Sequence, residues 1–157
     1  MRITIVGCGS IGSKLARAAD EIPEVKRIYL MDMERPLAED LAAQLKKAIV
    51  VDNVEEELYH CDLVIEAASQ VAAKDIIPKV VSRGVDMMVM SVGALVDDDF
   101  RSMVRAKANQ AEAKIFIPSG AICGTDGLRS SAVGRLDEVE LITITVSYTH
   151  LTLPTIR

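Results

Sequence analysis

The chain has 157 residues, a mass of 17.0 kDa and a net charge of −5. This length fits one domain, and an apolar content of 50% supports a core and excludes disorder. The acidic balance and 3% aromatic content argue against a nucleic-acid partner. No apolar run approaches the roughly 20 residues of a membrane helix. Cys8, Cys61 and Cys123 form no close pair, so we expect a reduced, cytoplasmic chain without a disulfide framework or bound metal.

Apolar strands and helices alternate along the chain with short connections. Six strands are predicted from short apolar runs, at residues 3–6, 27–31, 49–51, 62–68, 87–92 and 115–117. Helices are predicted at residues 14–19, from Pro36 onward, at 71–82 and at 97–112. Leu37, Leu41 and Leu45 predict one apolar face on the second helix. The pattern predicts an α/β fold, a doubly wound parallel sheet of the Rossmann type with helices on both faces.

A glycine-rich loop follows the first strand and opens the first helix. Its glycines are Gly7, Gly9 and Gly12, in the spacing Gly-x-Gly-x-x-Gly. Gly7 can make the tight turn, Gly9 lets a pyrophosphate approach the backbone, and Gly12 lets the helix pack on the sheet. The alternative is a glycine turn in an ordinary α/β protein. The position between strand and helix favours a dinucleotide site.

The helix N-terminus and an acid complete this candidate site. Ser10 and Ile11 lie in the first helical turn, where unpaired N–H groups and the helix dipole attract phosphate. Asp32 ends the second strand, 20 residues after Gly12, and is expected to accept hydrogen bonds from the adenosine ribose. An acid here repels a 2′-phosphate, which favours NAD over NADP. Arg35 could reach such a phosphate, so NADP stays possible, although a solvated arginine is the favoured interpretation.

Four other residues have functional alternatives that we consider weaker. Cys8 lies near the helix N-terminus, which can lower a thiol pKa, but a small loop residue is the simpler interpretation. His60 is interpreted as a solvated turn residue. Lys74 and Arg83 could neutralise substrate carboxylates, but a solvated helix face is the favoured interpretation for both.

Small residues follow three later strands at the edge where ligands bind in such sheets. Residues 66–69 read Glu-Ala-Ala-Ser, and residues 91–94 read Ser-Val-Gly-Ala. Residues 118–122 read Pro-Ser-Gly-Ala-Ile. Small side chains such as those of Ala68 and Ser69 would let a nicotinamide ribose lie close to the backbone. Each segment could also be a plain turn between a strand and a helix.

Together with the glycine loop, these segments resemble the L-aspartate dehydrogenase family over residues 1–145. The resemblance implies NAD(P)-dependent oxidative deamination of L-aspartate to iminosuccinate, which hydrolyses to oxaloacetate and ammonia and can feed NAD biosynthesis. It also implies that Ala121 contacts the cofactor, and we expect a homo-oligomer when the protein is full length. The family's catalytic histidine lies in a part absent from this sequence, so no catalytic residue is assigned.

The resemblance also predicts a domain plan. Residues 1–118 form the dinucleotide-binding domain, and residues 119–145 begin a substrate domain that is incomplete. Residues 146–157 lose the family pattern and look like translated adapter DNA, so they are interpreted as a non-native tail. We therefore expect this chain to bind cofactor without appreciable turnover of aspartate. Two alternatives stay open: a stand-alone NAD(P)-binding module, and an enzyme similar to homoserine dehydrogenase or dihydrodipicolinate reductase.

Overall fold

The computed structural model describes residues 1–118, which contain six strands and five α-helices. The strands are β1 Arg2–Val6, β2 Arg27–Met31, β3 Ala48–Val50, β4 Leu63–Glu66, β5 Asp86–Val89 and β6 Ile115–Phe116. The helices are α1 Ser10–Glu21, α2 Arg35–Ala42, α3 Val54–Glu57, α4 Gln70–Val81 and α5 Asp98–Gln110, and a 3₁₀ helix spans Val92–Val96. The predicted second domain and tail lie outside the described residues, so that division stays a prediction.

The six strands form one parallel sheet in the order β3-β2-β1-β4-β5-β6. Ile5 in β1 lies beside Leu30 of β2 and Ile65 of β4. The chain winds from β1 toward β3, and then returns to the other side of β1 as β4. Ligands bind at such a reversal, beyond the carboxyl ends of the strands. The doubly wound parallel sheet predicted from the sequence is therefore confirmed.

The two faces of the sheet carry separate apolar cores. On one face, Ile5 and Leu30 pack with Ala16 of α1 and Leu41 of α2. The second core packs strands β4 and β5 against α4 and α5; its buried members include Val64, Met87, Val89, Ile77 and Val104. Strands buried on both faces explain the uninterrupted apolar runs in the sequence.

Of the three leucines predicted to form the apolar face of the second helix, only Leu41 is both helical and buried. The helix ends at Ala42, before Leu45, and Leu37 is 43% exposed. Ala38 faces the core together with Leu41. Their spacing of three residues places a small and a large side chain on one face. Counting only leucines missed the buried alanine.

Two segments near the carboxyl edge of the sheet differ from the predictions made from the sequence. Strand β5 ends at Val89 rather than at Val92, because Val92 begins the 3₁₀ helix. Helix α3 was not predicted. It has one turn, and the side chain of Asn53 accepts a hydrogen bond from the backbone N–H of Glu55 at 2.9 Å, which caps it.

Candidate functional site

The glycine loop passes directly over the end of β4. Gly7 has φ +95°, a conformation that side chains rarely adopt, and its N–H donates to the Met31 carbonyl at 2.8 Å. A Cβ at Gly7 would lie 2.6 Å from the carbonyl oxygen of Ala67. A Cβ at Gly12 would lie 1.8 Å from the Gly7 carbonyl oxygen. Both glycines are therefore required by contacts within the protein itself.

Gly9 differs from its two neighbours in the motif. Its φ of −70° is accessible to any residue, and a Cβ there would meet no atom within 4 Å. The fold does not need glycine at this position, so the open side of Gly9 is available to a ligand. Gly9 caps α1 without a side-chain hydrogen bond, which leaves the first N–H groups of the helix without intrahelical acceptors. Open space and free donors suit a pyrophosphate.

Asp32 follows β2 and holds the glycine loop. Its Oδ2 accepts a hydrogen bond from the Cys8 N–H at 2.6 Å, and its Oδ1 accepts one from the Glu34 N–H at 2.9 Å. A carboxylate offers about four acceptor positions, so two remain for ribose hydroxyls. Asp32 therefore supports the phosphate loop as well as presenting an acceptor to a ribose.

A cleft of about 480 Å³ opens at this reversal of the sheet. The predicted residues Gly7, Gly9, Asp32, Ala68 and Ser69 line it. Predicted residues Ser10 and Ile11 lie in the exposed first turn of α1, next to Gly9, and do not line the cleft. Residue Ala121 lies outside the described residues. The assignment of these residues to a cofactor stays a prediction.

The sequence analysis missed part of the cleft wall. Met33, which is 97% exposed, adjoins Asp32, while Ala72, Asp75 and Ile76 come from α4. The position of Met33 next to the acid was a usable signal. The α4 residues had no such signal, because only the packing of α4 shows which of its faces borders the cleft. Ser69 caps this helix by accepting a hydrogen bond from the Ala72 N–H at 3.1 Å.

The side chain of Cys8 is buried beside the loop. Burial and, to a smaller extent, the charge of Asp32 together raise the pKa of its thiol to about 11. The thiol is therefore protonated at neutral pH, and its N–H, not its sulfur, contributes to the site. The interpretation of Cys8 as a small loop residue agrees with this geometry.

The candidate substrate cations are engaged elsewhere. Lys74 pairs with Asp97 at 3.3 Å and lies 5.6 Å from the ring centre of Phe100. Arg83 follows the far end of α4 and donates to the Tyr59 hydroxyl at 2.9 Å. Within residues 1–118, no group of three His, Cys, Asp or Glu side chains could hold a metal ion. The same residues include no helix with the length and apolarity to cross a membrane.

Arg35 is held by two acids at the start of α2. Its Nε donates to Glu39 at 2.7 Å, and its guanidinium also pairs with Asp52. All three side chains are at least half exposed. In this arrangement the positive charge of Arg35 is shared between two carboxylates, so little of it is available to a 2′-phosphate.

We expect Arg35→Ala to weaken NADP binding about threefold to fivefold and to change NAD binding by less than about twofold, because the substitution leaves two acids unbalanced near Asp32. Calorimetric titration with both cofactors measures this difference. Arg83→Ala removes an exposed arginine at the opposite edge of the sheet and should change neither affinity. Equal losses for both cofactors in Arg35→Ala would show that Arg35 does not act on the 2′ position.

Comparison with known proteins agrees with this geometry. A family model described as "Homoserine dehydrogenase, NAD binding domain" matches residues 7–118. The L-aspartate dehydrogenase of Methanothermobacter thermautotrophicus is 40% identical over 144 residues, which cover 91% of this chain and 56% of that protein. The enzyme of the same name from Methanosarcina acetivorans is 39% identical over 91% of this chain and 54% of its own length. These matches confirm the resemblance seen in the sequence.

A solved structure gives the same result. The aspartate dehydrogenase of Thermotoga maritima has a TM-score of 0.63 and 26% identity, over 83% of this chain and 50% of that one. The chain spans about half the length of the curated relatives that it matches. The family model covers most of the chain, and its residues include the glycine loop, Asp32 and the five strands β2 to β6. The chain therefore belongs to the family of NAD-binding domains described as homoserine dehydrogenase, NAD binding domain.

Proposed function

We propose that this chain is the cofactor-binding part of an NAD-dependent L-aspartate dehydrogenase. The reaction converts L-aspartate, NAD⁺ and water into oxaloacetate, ammonia, NADH and a proton, by way of iminosuccinate. The names of the 37–40% identical curated relatives support the substrate. The observation that carries the cofactor assignment is the open side of Gly9, set between two glycines that the fold itself requires.

The described residues suit the binding of NAD in an extended form across the switch in the sheet. The N–H groups of the first turn of α1 would donate to the pyrophosphate above Gly9. Asp32 would accept hydrogen bonds from the adenosine ribose while it holds the Cys8 N–H. Ala68 and Ser69, beyond β4, would leave room for the second ribose. NAD supplies a hydride acceptor when bound, and these residues orient it.

The polar surroundings favour NAD over NADP. Asp32 faces the cleft with a negative charge that repels a 2′-phosphate. The guanidinium of Arg35 is paired with Glu39 and Asp52. We also propose that the protein acts as a homo-oligomer in the cytoplasm, where thiols such as those of Cys8 and Cys61 stay unpaired.

One alternative has a specific observation in its favour. The matching family model takes its description from homoserine dehydrogenase, so a hydroxy-acid substrate is the second candidate. The two substrates differ in chemistry, since one is oxidised at a carbon bearing an amine and the other at a carbon bearing a hydroxyl. A domain that binds cofactor without catalysis is the third candidate.

A chimeric enzyme separates the catalytic candidates from the non-catalytic module. Residues 1–118 are joined to the remaining part of the Methanothermobacter relative, which supplies the substrate domain, and NADH formation from L-aspartate is followed by absorbance. We expect turnover within about tenfold of that of the intact relative, because the proposal requires residues 1–118 to orient NAD for this reaction. NADH binding without turnover of aspartate would contradict the proposed function and favour the non-catalytic module.

A further inference from the structure

The buried carboxylate of Glu66 lies outside the residues that line the cleft. Glu66 ends β4, in the middle of the sheet, and its side chain is 0% exposed. Among the described residues, only Thr4 and Asp20 are other buried polar or charged side chains. A charge removed from water is costly unless hydrogen bonds replace its solvation. The carboxylate of Glu66 therefore needs hydrogen-bond donors inside the protein.

Glu66 connects the segments that follow two neighbouring strands. Its Oε1 accepts hydrogen bonds from the Ala68 N–H at 2.9 Å and from the Ser91 hydroxyl at 2.9 Å. Its Oε2 accepts a third from the Ser91 N–H at 3.0 Å. The Glu66 carbonyl also accepts from the Met90 N–H at 2.9 Å. One residue thus fixes the turn after β4 and the turn after β5 against each other.

The chemistry of these contacts requires an acid rather than its amide. The two N–H partners can only donate, so each needs an acceptor opposite it. A carboxylate supplies acceptors at both oxygens. In glutamine, one of the two positions becomes an NH₂ group, and either orientation of that amide leaves the N–H of Ala68 or of Ser91 facing another donor. A substitution of nearly the same shape therefore breaks the link between the turns.

The location of this link matters for a bound dinucleotide. Gly9 and Asp32 lie over the β1–β2 side of the switch in the sheet. If they hold the pyrophosphate and the adenosine ribose, then the nicotinamide end of an extended dinucleotide lies over β4 and β5. The turns that Glu66 connects, with Ala68 in one and Ser91 in the other, form this part of the edge.

We propose that Glu66 is a positioning residue for the nicotinamide half of the cofactor. It acts through Ala68 and Ser91, whose backbone it holds in one arrangement, and has no contact with the adenosine half. This inference rests on the proposed function, since it assumes that the cleft binds NAD. It predicts that loss of the acid lowers the affinity for the whole cofactor but leaves the affinity for its ADP-ribose part nearly unchanged.

The test is Glu66→Gln in the 157-residue chain, titrated by calorimetry with NADH and with ADP-ribose. We expect the affinity for NADH to fall about tenfold, while that for ADP-ribose changes by less than about twofold. The fluorescence of bound NADH should also shift toward that of free NADH, because the nicotinamide is held less closely. Ser91→Ala removes one of the three hydrogen bonds and should change the same ratio in the same direction, by less. It replaces Glu66→Gln if that variant does not fold.

Asp20→Asn is the matched control. Asp20 is another buried carboxylate that accepts two backbone hydrogen bonds, from the N–H groups of Lys46 and Lys47 at 3.2 and 2.9 Å. It lies near the end of α1, at the other edge of the sheet, so its loss should lower stability without changing the ratio of the two affinities. Equal losses for both ligands in Glu66→Gln, or an unchanged affinity for NADH, would overturn the inference alone. A wild-type chain that binds neither ligand would overturn the proposed function as well.

Discussion

Gly9→Val is expected to fold like the wild-type chain and to lose at least about 100-fold in NADH affinity. The open side of Gly9 gives the new side chain space, since its Cβ would meet no protein atom within 4 Å. Replacing a glycine cap costs under about 1 kcal/mol of stability. In the complex, the valine methyl groups would occupy the position of the pyrophosphate and separate it from the N–H groups of α1. Loss of two charge-assisted hydrogen bonds from these N–H groups to the pyrophosphate accounts for the expected decrease in NADH affinity.

Calorimetry is the suitable measurement, because the chain has no tryptophan for energy transfer to NADH. Thermal unfolding followed by circular dichroism verifies the fold of the variant. Gly9→Ala, with a single added carbon, should lose less affinity than Gly9→Val. Unchanged NADH affinity in the valine variant would remove the glycine loop from the cofactor site, and with it the main support for the proposed function.

The same addition of one carbon at Gly12 is expected to damage the fold itself. The new Cβ would lie 1.8 Å from the carbonyl oxygen of Gly7 and 2.8 Å from its carbonyl carbon. Neither backbone atom can turn away as a side chain can. The first turn of α1 would have to move from the loop, and we expect Gly12→Ala to lower the free energy of unfolding by about 3 kcal/mol.

Helix propensity alone predicts the opposite change in stability. Alanine is favoured over glycine inside a helix by about 1 kcal/mol, so without the contact to Gly7 the substitution would raise the free energy of unfolding. Urea unfolding of Gly12→Ala, compared with Gly9→Ala, measures the contribution of the contact. Equal or greater stability of Gly12→Ala would mean that α1 does not pack on Gly7 as described. Two glycines of one motif thus have separable roles, one in the fold and one in the cleft.

Much of this architecture could be read from local pattern. The second strand was predicted at its observed bounds, because apolar residues buried on both faces form an uninterrupted run that ends at a polar residue. The glycine spacing and Asp32 identified the cleft, because each performs its role through backbone conformation or charge close by in the sequence. Helix α3 and the 3₁₀ helix were missed, since one turn of helix gives too few residues for a periodic signal.

The contacts between distant segments could not be predicted in this way. Asp32 bonds to the Cys8 N–H across 24 residues, and Glu66 bonds to Ser91 across 25. Both acids were visible as charges at the ends of apolar strands. Which backbone groups they accept from depends on how the sheet brings neighbouring turns together. Sequence spacing alone contains no measure of that distance.

The bond between Asp32 and the Cys8 N–H has a consequence for changing cofactor preference by design. Removing the acid to admit a 2′-phosphate would also release the loop that receives the pyrophosphate, so affinity for both cofactors would fall together. Asp32→Asn would not avoid this loss, because both oxygens of Asp32 accept backbone N–H groups and the amide would turn a donor toward one of them. A design that keeps Asp32 and introduces a cation at the exposed Met33 would alter charge without loosening the loop. In this fold, the residue that selects between NAD and NADP also holds the loop that binds the pyrophosphate of both cofactors.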